Sequence, residues 1–167
     1  MTVGTILYAR RQRTYILKFV GEIRYTMSCS LDQFLKQLFK RSDYDAITID
    51  LTDTTSIDST SLGLLAKVAN FTRRRFGTKP TLYSHNCDVN RVLDSMGLDD
   101  VFELHCEPCE QGCPLEETQQ LEVSEPDSQT LARTLLDAHC TLSDLNDSNR
   151  LEFRDIVGVL RQQQASS

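Results

Sequence analysis

Long apolar segments are absent from this sequence. Across its 167 residues, no run approaches the roughly 18 consecutive apolar residues that a membrane-spanning helix requires. At the N-terminus, MTVGTILYARRQR places its charges after a very short apolar run, which reverses the order found in a signal peptide. We therefore expect a cytoplasmic protein that has no membrane partner.

Glycine-rich phosphate-binding loops are also absent. Neither G-x-x-x-x-G-K nor G-x-G-x-x-G occurs, so ATP binding of the kind seen in kinases is not expected. The three histidines, His85, His105 and His139, have no serine or cysteine partner at a spacing typical of a catalytic pair. We therefore predict that the chain is not an enzyme, has no catalytic residue and uses no cofactor. Such a chain is better suited to be the substrate of a kinase.

Positive charge is scarce in the C-terminal third of the chain. Residues 106–167 contain 4 Lys and Arg against 12 Asp and Glu, whereas residues 1–105 contain 14 against 12. This imbalance accounts for the net charge of −6 and indicates two regions with different roles. Because an acidic region repels phosphate groups, nucleic acid is not expected as a partner.

Apolar residues nevertheless make up 40% of the chain, which is enough for a folded core. Their alternating and helical spacings predict the element order ββαβαβαβ over the first 104 residues. The predicted strands cover residues 3–8, 13–20, 46–51, 80–84 and 101–104. This order predicts an α/β fold, with helices packed on a mixed sheet of four to five strands.

Composition changes at Cys106, which divides the predicted fold from the rest of the chain. Residues 106–127 are acidic, polar and interrupted by proline, as is typical of a flexible linker. Apolar residues at helical spacing then predict a helical hairpin over residues 128–163. Because this hairpin is too small to be stable alone, we expect it to dock on the domain formed by residues 1–105 or on a partner.

The segment IDSTSLG, residues 57–63, concentrates polar side chains between a predicted strand and a predicted helix. One interpretation is structural, because Asp, Ser and Thr are favoured N-caps of helices. The other is functional, because a hydroxyl at a helix N-terminus can carry a phosphate that the exposed N–H groups stabilise. In that case Asp58 would orient the hydroxyl or repel the incoming phosphate.

The segment HCEPCEQGC contains four potential zinc ligands, His105, Cys106, Cys109 and Cys113, within nine residues. Structural zinc sites usually draw their ligands from two separated pairs, and this crowding does not fit that pattern. The neighbouring glutamates also disfavour the thiolate form that binds metal. We predict free thiols in a linker and no zinc site.

The segment DLNDSNRLEFRD partly resembles a calcium-binding loop between two helices. However, Asn149 stands where the turn needs glycine, and Asp155 stands where the bidentate glutamate belongs. The alternative is a turn of the hairpin in which Asn149 caps the second helix and Glu152 completes a capping box. We therefore predict no metal at this position either.

The segment YDAITIDLTDTTSIDSTSLGLLAKVANFTRRRFG resembles the signature of the STAS domain of bacterial anti-sigma-factor antagonists. The matching residues are Asp50, Leu51, Ile57, Asp58, Ser59, Thr60, Leu62 and Gly63. Ser61 stands where the family usually has glycine. The segment PTLYSHNCDVNRVLDSMGLDDVFEL is similar to the C-terminal end of the same domain, so the resemblance covers about two-thirds of the chain and leaves out the hairpin.

The resemblance implies a STAS-like sandwich and a partner-switching role in the regulation of transcription. Members of the family bind an anti-sigma factor, often a Ser/Thr kinase, which phosphorylates the serine after the aspartate. A phosphatase, in some pathways linked to a response regulator, removes the phosphate. If this role is carried over to the present sequence, the phosphate acceptor is Ser59. Ser56, Thr60 and Ser61 are secondary candidates. The implied partner-binding surface consists of Asp58, Ser59, Thr60, Ser61 and Leu62.

Two other functions compete with partner switching. The first is a STAS scaffold that does not switch and that serves as a regulatory subunit of a transport or envelope complex. The second is a small hydrolase with Ser59 as its nucleophile. A hydrolase requires a general base and an oxyanion hole, and the sequence indicates neither.

Overall fold

A six-stranded mixed sheet forms the centre of the protein in a computed structural model that describes residues 3–107 and 118–166. The strands are β1 (Thr5–Arg11), β2 (Thr14–Ile23), β3 (Ala46–Ile57), β4 (Thr81–Tyr83), β5 (Glu103–His105) and β6 (Gln119–Gln120). Their order across the sheet is β5-β4-β3-β2-β1-β6. The β1/β2 and β1/β6 pairs are antiparallel, and the remaining pairs are parallel. The predicted α/β fold is confirmed.

Among the described residues, five α-helices accompany the sheet. They are α1 (Ser28–Phe39), α2 (Ser59–Phe76), α3 (Cys87–Ser95), α4 (Ser128–Ser143) and α5 (Asp147–Ala165). In the described part of the chain, no helix combines the length and the apolar character that crossing a membrane requires.

The sheet has one strand more than the upper limit of the prediction. This strand, β6, lies inside the segment that the sequence predicts to be a linker, and Gln119 and Gln120 pair with Tyr8 and Leu7. Without β6, the outer edge of β1 would leave its N–H and C=O groups without strand partners. The two-residue strand therefore covers part of an edge and holds the linker against the sheet at residues 119 and 120.

Strand β3 is longer than the sequence indicates, because it continues past residue 51 to Ile57. The residues of this extension are mostly polar, so their sequence does not indicate a strand. Thr54 is nevertheless buried, and its hydroxyl donates a hydrogen bond of 2.8 Å to the carbonyl oxygen of Phe19. Ile23 and Ile57 are still paired at the end of the β2/β3 ladder. The chain therefore passes directly from β3 through Asp58 into α2.

Helix α2 is almost entirely covered. Its buried residues include Leu62, Gly63, Leu64, Leu65, Ala66, Val68 and Ala69. Apolar side chains on so wide an arc need cover on more than one side. The sheet and α1 provide part of it, and α4 of the C-terminal hairpin provides the rest. At its C-terminus the helix ends on Gly77, whose φ of 70° is the left-handed conformation that glycine adopts most readily.

The predicted C-terminal hairpin is present as α4 and α5, and α4 packs on α1 and α2. Ala138 and Leu142 on α4 are fully buried, and Phe153 and Val157 on α5 are nearly so. All four belong to the same apolar core as the sheet. The hairpin is thus an additional layer over the helices at the site where β3 leads into α2.

Candidate functional site

Asp58 is the N-cap of α2, as one of the two interpretations of the sequence predicts. One carboxylate oxygen accepts a hydrogen bond of 2.9 Å from the backbone N–H of Ser61. The other accepts one of 2.6 Å from the backbone N–H of Tyr25, which follows β2. Both oxygens are therefore held by backbone groups, and the carboxylate joins the start of α2 to the end of β2.

Ser59 is half-buried at the first position of α2, and its hydroxyl contacts a histidine from the C-terminal hairpin. The distance from Ser59 Oγ to His139 Nε2 is 2.9 Å. His139 Nδ1 lies 2.8 Å from the carbonyl oxygen of Leu135. Because a carbonyl oxygen only accepts, Nδ1 carries a hydrogen, and in the neutral ring Nε2 is then the acceptor. Ser59 therefore donates its hydroxyl hydrogen to His139.

The other candidate hydroxyls differ in their accessibility. Ser56 is exposed at the end of β3, whereas Thr60 and Ser61 are buried. Leu62, which the resemblance places on the partner surface, is also completely buried. With the hairpin docked, the surface implied by the resemblance is therefore reduced to the partly exposed Asp58 and Ser59.

Gly63 marks the closest approach between α2 and the hairpin. A Cβ atom at this position would overlap the backbone carbonyl of Ala138 and would lie 3.0 Å from the Ala138 Cα atom. Side chains at positions i, i+4 and i+8 lie on one face of a helix, so Ser59, Gly63 and Lys67 form a single stripe. This stripe faces α4.

Lys67, the third member of the stripe, connects α1, α2 and α4. Its ammonium group lies 2.8 Å from Asp32 Oδ1 on α1 and forms a second ion pair with Asp137 on α4. Burial opposes the charge on the ammonium group, but the hydrogen bonds that it donates to Asp137 and Asp32 outweigh burial and raise the pKa of Lys67. Lys67 therefore stays protonated and holds α4 in place through its charge.

Two further contacts attach the hairpin to the STAS-like fold. Cys29 Sγ on α1 donates to Thr134 Oγ1 on α4 at 3.4 Å. Asn149 Nδ2 donates to the carbonyl oxygen of Met96, just after α3, at 2.8 Å. Asn149 lies inside α5, which begins at Asp147, and so does not cap that helix, which corrects the prediction. The N-cap is Asn146, whose side chain accepts from the backbone N–H of Asn149.

Neither metal-like segment is arranged as a metal site in the part of the chain that the structure describes. Cys109 and Cys113 lie outside the described residues. His105 stacks on Tyr83 at a ring distance of 5.0 Å. Among residues 3–107 and 118–166, no group of three or more His, Cys, Asp or Glu side chains could hold a metal ion. That the protein binds no metal remains a prediction.

The pair formed by Ser59 and His139 is one that the sequence did not indicate, because the two residues are 80 positions apart. A serine that contacts a histidine ring nitrogen resembles a nucleophile with its base. However, the carboxylate of Asp58 takes the N–H of Ser61 and puts a negative charge at the start of α2. That N–H is therefore not available as the oxyanion-hole donor that a hydrolase would require. Ser59 thus has a neighbouring ring nitrogen but not this donor.

The sequence and the fold of the chain are both similar to those of known proteins. The sequence profile of the STAS domain matches residues 5–111. A solved anti-sigma factor antagonist from Mycobacterium paratuberculosis is similar in fold, with a TM-score of 0.53 and 23% identity, over 63% of this chain and 87% of the other. The anti-sigma factor antagonist SpoIIAA in its unphosphorylated form gives a TM-score of 0.51 and 14% identity, over 64% and 90%.

No curated protein sequence matches the chain significantly. At the identities found among solved structures, the likeness concerns the fold alone. The profile match spans more than half of the chain and contains the whole β3–α2 junction with Asp58 and Ser59. The chain therefore belongs to the STAS domain family.

Proposed function

We propose that the chain is a bacterial anti-sigma-factor antagonist that works by partner switching in the cytoplasm. It binds an anti-sigma factor, and reversible phosphorylation of Ser59 by a Ser/Thr kinase and a phosphatase controls that binding. The observation that carries the proposal is the position of Ser59, directly after the N-cap of α2, in a STAS domain. Both solved structures compared above are described as anti-sigma factor antagonists, which supports the same role.

The start of α2 tolerates a phosphate on Ser59 without loss of the fold. The N-terminus of a helix presents N–H groups and a positive dipole end, which favour an added anion. Phosphorylation adds a charge of about −2 at neutral pH. Since Asp58 is engaged by two backbone N–H groups, its capping bonds do not depend on the Ser59 hydroxyl. We therefore expect the folded domain to persist in both forms.

A partner packed against this turn responds differently to the phosphate. It must desolvate a dianion and accept it beside the carboxylate of Asp58. Like-charge repulsion and desolvation together cost several kcal/mol. Because each 1.4 kcal/mol changes an affinity tenfold, we expect phosphorylation to weaken the affinity for the partner by about two orders of magnitude.

The test uses the protein from its native host and two defined phosphoforms. Mass spectrometry of the isolated protein maps the phosphate, which we expect on Ser59. The anti-sigma factor retained by the unmodified chain is then titrated with the chain carrying phosphoserine at position 59. The matched control carries phosphoserine at position 56, where Ser56 is exposed and lies before the helix. We expect binding about 100-fold weaker for position 59 and a smaller change for position 56.

Two results would contradict the proposal. A phosphate found only on Ser56 would move the switch out of α2 into the end of β3. Equal affinity of both phosphoforms and of the unmodified chain for every retained partner would leave the scaffold function as the better explanation.

A further inference from the structure

The C-terminal hairpin occupies the part of α2 at which a partner or a kinase would have to arrive. Ser59, Gly63 and Lys67 form one stripe on α2, and each contacts one residue of the segment 137–139 on α4. Asp137 pairs with the lysine, the backbone of Ala138 lies on the glycine, and the ring of His139 accepts from the serine. One turn of α4 therefore covers the whole stripe.

The contacts that hold the hairpin combine buried apolar side chains, among them Ala138 and Leu142, with polar bonds to α1 and α2. Interfaces between units that separate carry more polar contacts than permanent ones do. Between α1 and α4 the surfaces do not close, and a cleft of about 830 Å³ remains. Polar residues from both helices and the linker line this cleft, among them Cys29, Asp32, Lys36, Asp127, Arg133 and Thr134. The hairpin is thus attached along α2 and only loosely along α1.

We propose that the α4–α5 hairpin is a reversible cap that controls access to Ser59. With the hairpin docked, His139 lies on the Ser59 hydroxyl and α4 fills the space in front of Gly63. With the hairpin released, the stripe of Ser59, Gly63 and Lys67 is open. This proposal rests on the proposed function. It implies that the hairpin and the anti-sigma factor compete for the same surface of α2.

Phosphorylation itself acts on the cap. The phosphoryl group replaces the hydroxyl hydrogen, so Ser59 no longer has the hydrogen that it donates to His139. The 2.9 Å between Ser59 Oγ and His139 Nε2 also leaves no room for a phosphorus atom and its oxygens along that line. The docked hairpin therefore loses this hydrogen bond when Ser59 is phosphorylated.

Access to position 59 can be measured without any partner. In the full chain carrying Ser59→Cys, alkylation by a bulky polyethylene-glycol maleimide is compared with alkylation by small N-ethylmaleimide. The ratio of the two rates removes the effect of the nearby His139 on thiol reactivity. Because the chain has six native cysteines, each site is read by peptide mass spectrometry. Ser56→Cys is the matched control, since Ser56 is exposed beside the site.

The hairpin is opened by changes on its own side only. Ala138→Glu combined with Leu142→Glu puts two carboxylates into fully buried positions and leaves the STAS domain sequence intact. We expect the bulky-to-small ratio at position 59 to rise about tenfold when the hairpin opens, and the ratio at position 56 to stay unchanged. An equal ratio at position 59 in both backgrounds, with hydrogen exchange showing α4 released, would overturn the cap.

A closed form can be locked for comparison. Thr134→Cys places a second thiol opposite Cys29, whose Sγ lies 3.4 Å from Thr134 Oγ1. Oxidation of this variant should join α1 to α4, and its reduced form is the control. With an extract of the native host as the source of kinase, we expect phosphorylation of Ser59 to be about tenfold slower in the oxidised form.

The outcomes separate the cap from the proposed function. If the labelling ratio changes but no phosphate is ever found at Ser59, the cap stands and partner switching fails. If Ser59 is phosphorylated equally fast in the oxidised and reduced forms, the cap is overturned and partner switching stands. Tighter binding of the anti-sigma factor to the opened chain supports both.

Discussion

The backbone carbonyl of Ala138 lies where a side chain on Gly63 would begin. A Cβ atom on Gly63 would overlap the carbonyl oxygen and would lie 3.0 Å from the Ala138 Cα atom. Backbone atoms in the middle of a packed helix cannot move aside as the end of a flexible side chain can. Position 63 therefore reports directly on how closely α2 and α4 are packed.

We predict that Gly63→Ala loosens the hairpin. Overpacking of this kind costs about 1–3 kcal/mol, and the cost falls on the α2–α4 contact. Hydrogen exchange should become faster in α4 and α5 while the sheet stays protected. The control is Gly158→Ala on α5, where an added Cβ has no atom within 4 Å. That change should stabilise the helix by about 0.5–1 kcal/mol, and equal protection of α4 in both variants would refute the close packing.

We predict that Lys67→Met destabilises the protein more than a surface lysine change does. The substitution leaves Asp137 without its ion pair and leaves the buried Asp32 with Lys36 as its remaining partner. Losing a charged partner at a half-buried site costs about 1–3 kcal/mol. Lys79→Met, at an exposed position, is the control and should change the free energy of unfolding little. Urea denaturation measures both, and equal values would show that the ion pairs contribute nothing.

We predict that stability falls at high pH through Tyr44. Burial raises the pKa of Tyr44 to about 12, while the unfolded phenol titrates near its usual value of about 10. The folded state therefore keeps a proton that the unfolded state loses, so stability is full below about pH 10 and declines as the pH rises towards about 12. Tyr44→Phe should flatten this decline, whereas Tyr25→Phe, at a half-exposed position, should not. Denaturation curves across this range decide the matter.

We predict that residues 1–105 fold without the hairpin. Five of the six strands and helices α1 to α3 lie within this range, and they pack their apolar faces on one another. Because Ala138, Leu142 and Phe153 also belong to the core, the truncated chain should melt cooperatively but at a lower temperature. A second truncation at residue 127 retains β6 and separates its effect from that of the hairpin. If neither truncated chain shows a cooperative transition, the hairpin is a required part of the folded domain and the prediction is wrong.

We predict that neither zinc nor calcium binds in the folded protein. Around residues 144–155, the amide oxygen of Asn146 already accepts a hydrogen bond from the backbone N–H of Asn149, where it caps α5. Native mass spectrometry, and melting curves with and without a chelator, measure the outcome. Stoichiometric metal together with a shift of several degrees in Tm would contradict the prediction.

Local side-chain chemistry made the start and the end of α2 predictable. An aspartate before the helix and a glycine after it are caps whose preferences are properties of single residues. The continuation of β3 to Ile57 was missed because its polar residues do not alternate cleanly, although Thr54 is buried. Asn149 was misassigned because two asparagines near the start of α5 could each cap it, and only packing against Met96 decides between them.

The contact between Ser59 and His139 could not be predicted in this way. The sequence predicts an amphipathic hairpin. An apolar face indicates that a helix packs against another surface, but it does not indicate which surface. The position of docking depends on a glycine that admits the α4 backbone and on a lysine that pairs with an aspartate 70 residues later. Each of these residues has an ordinary local explanation, and only the assembled fold gives them a common role.

The short strand β6 affects how strongly the α4–α5 hairpin is held on α2. Because β6 fixes residues 119 and 120 to β1, only residues 121–127 form the tether between that anchor and α4. Short tethers keep a detached segment at an effective concentration in the millimolar range, about a thousand times that of a competitor present at micromolar levels. A competing partner must make up that factor by tighter binding, so lengthening the tether would make the same contacts easier to displace.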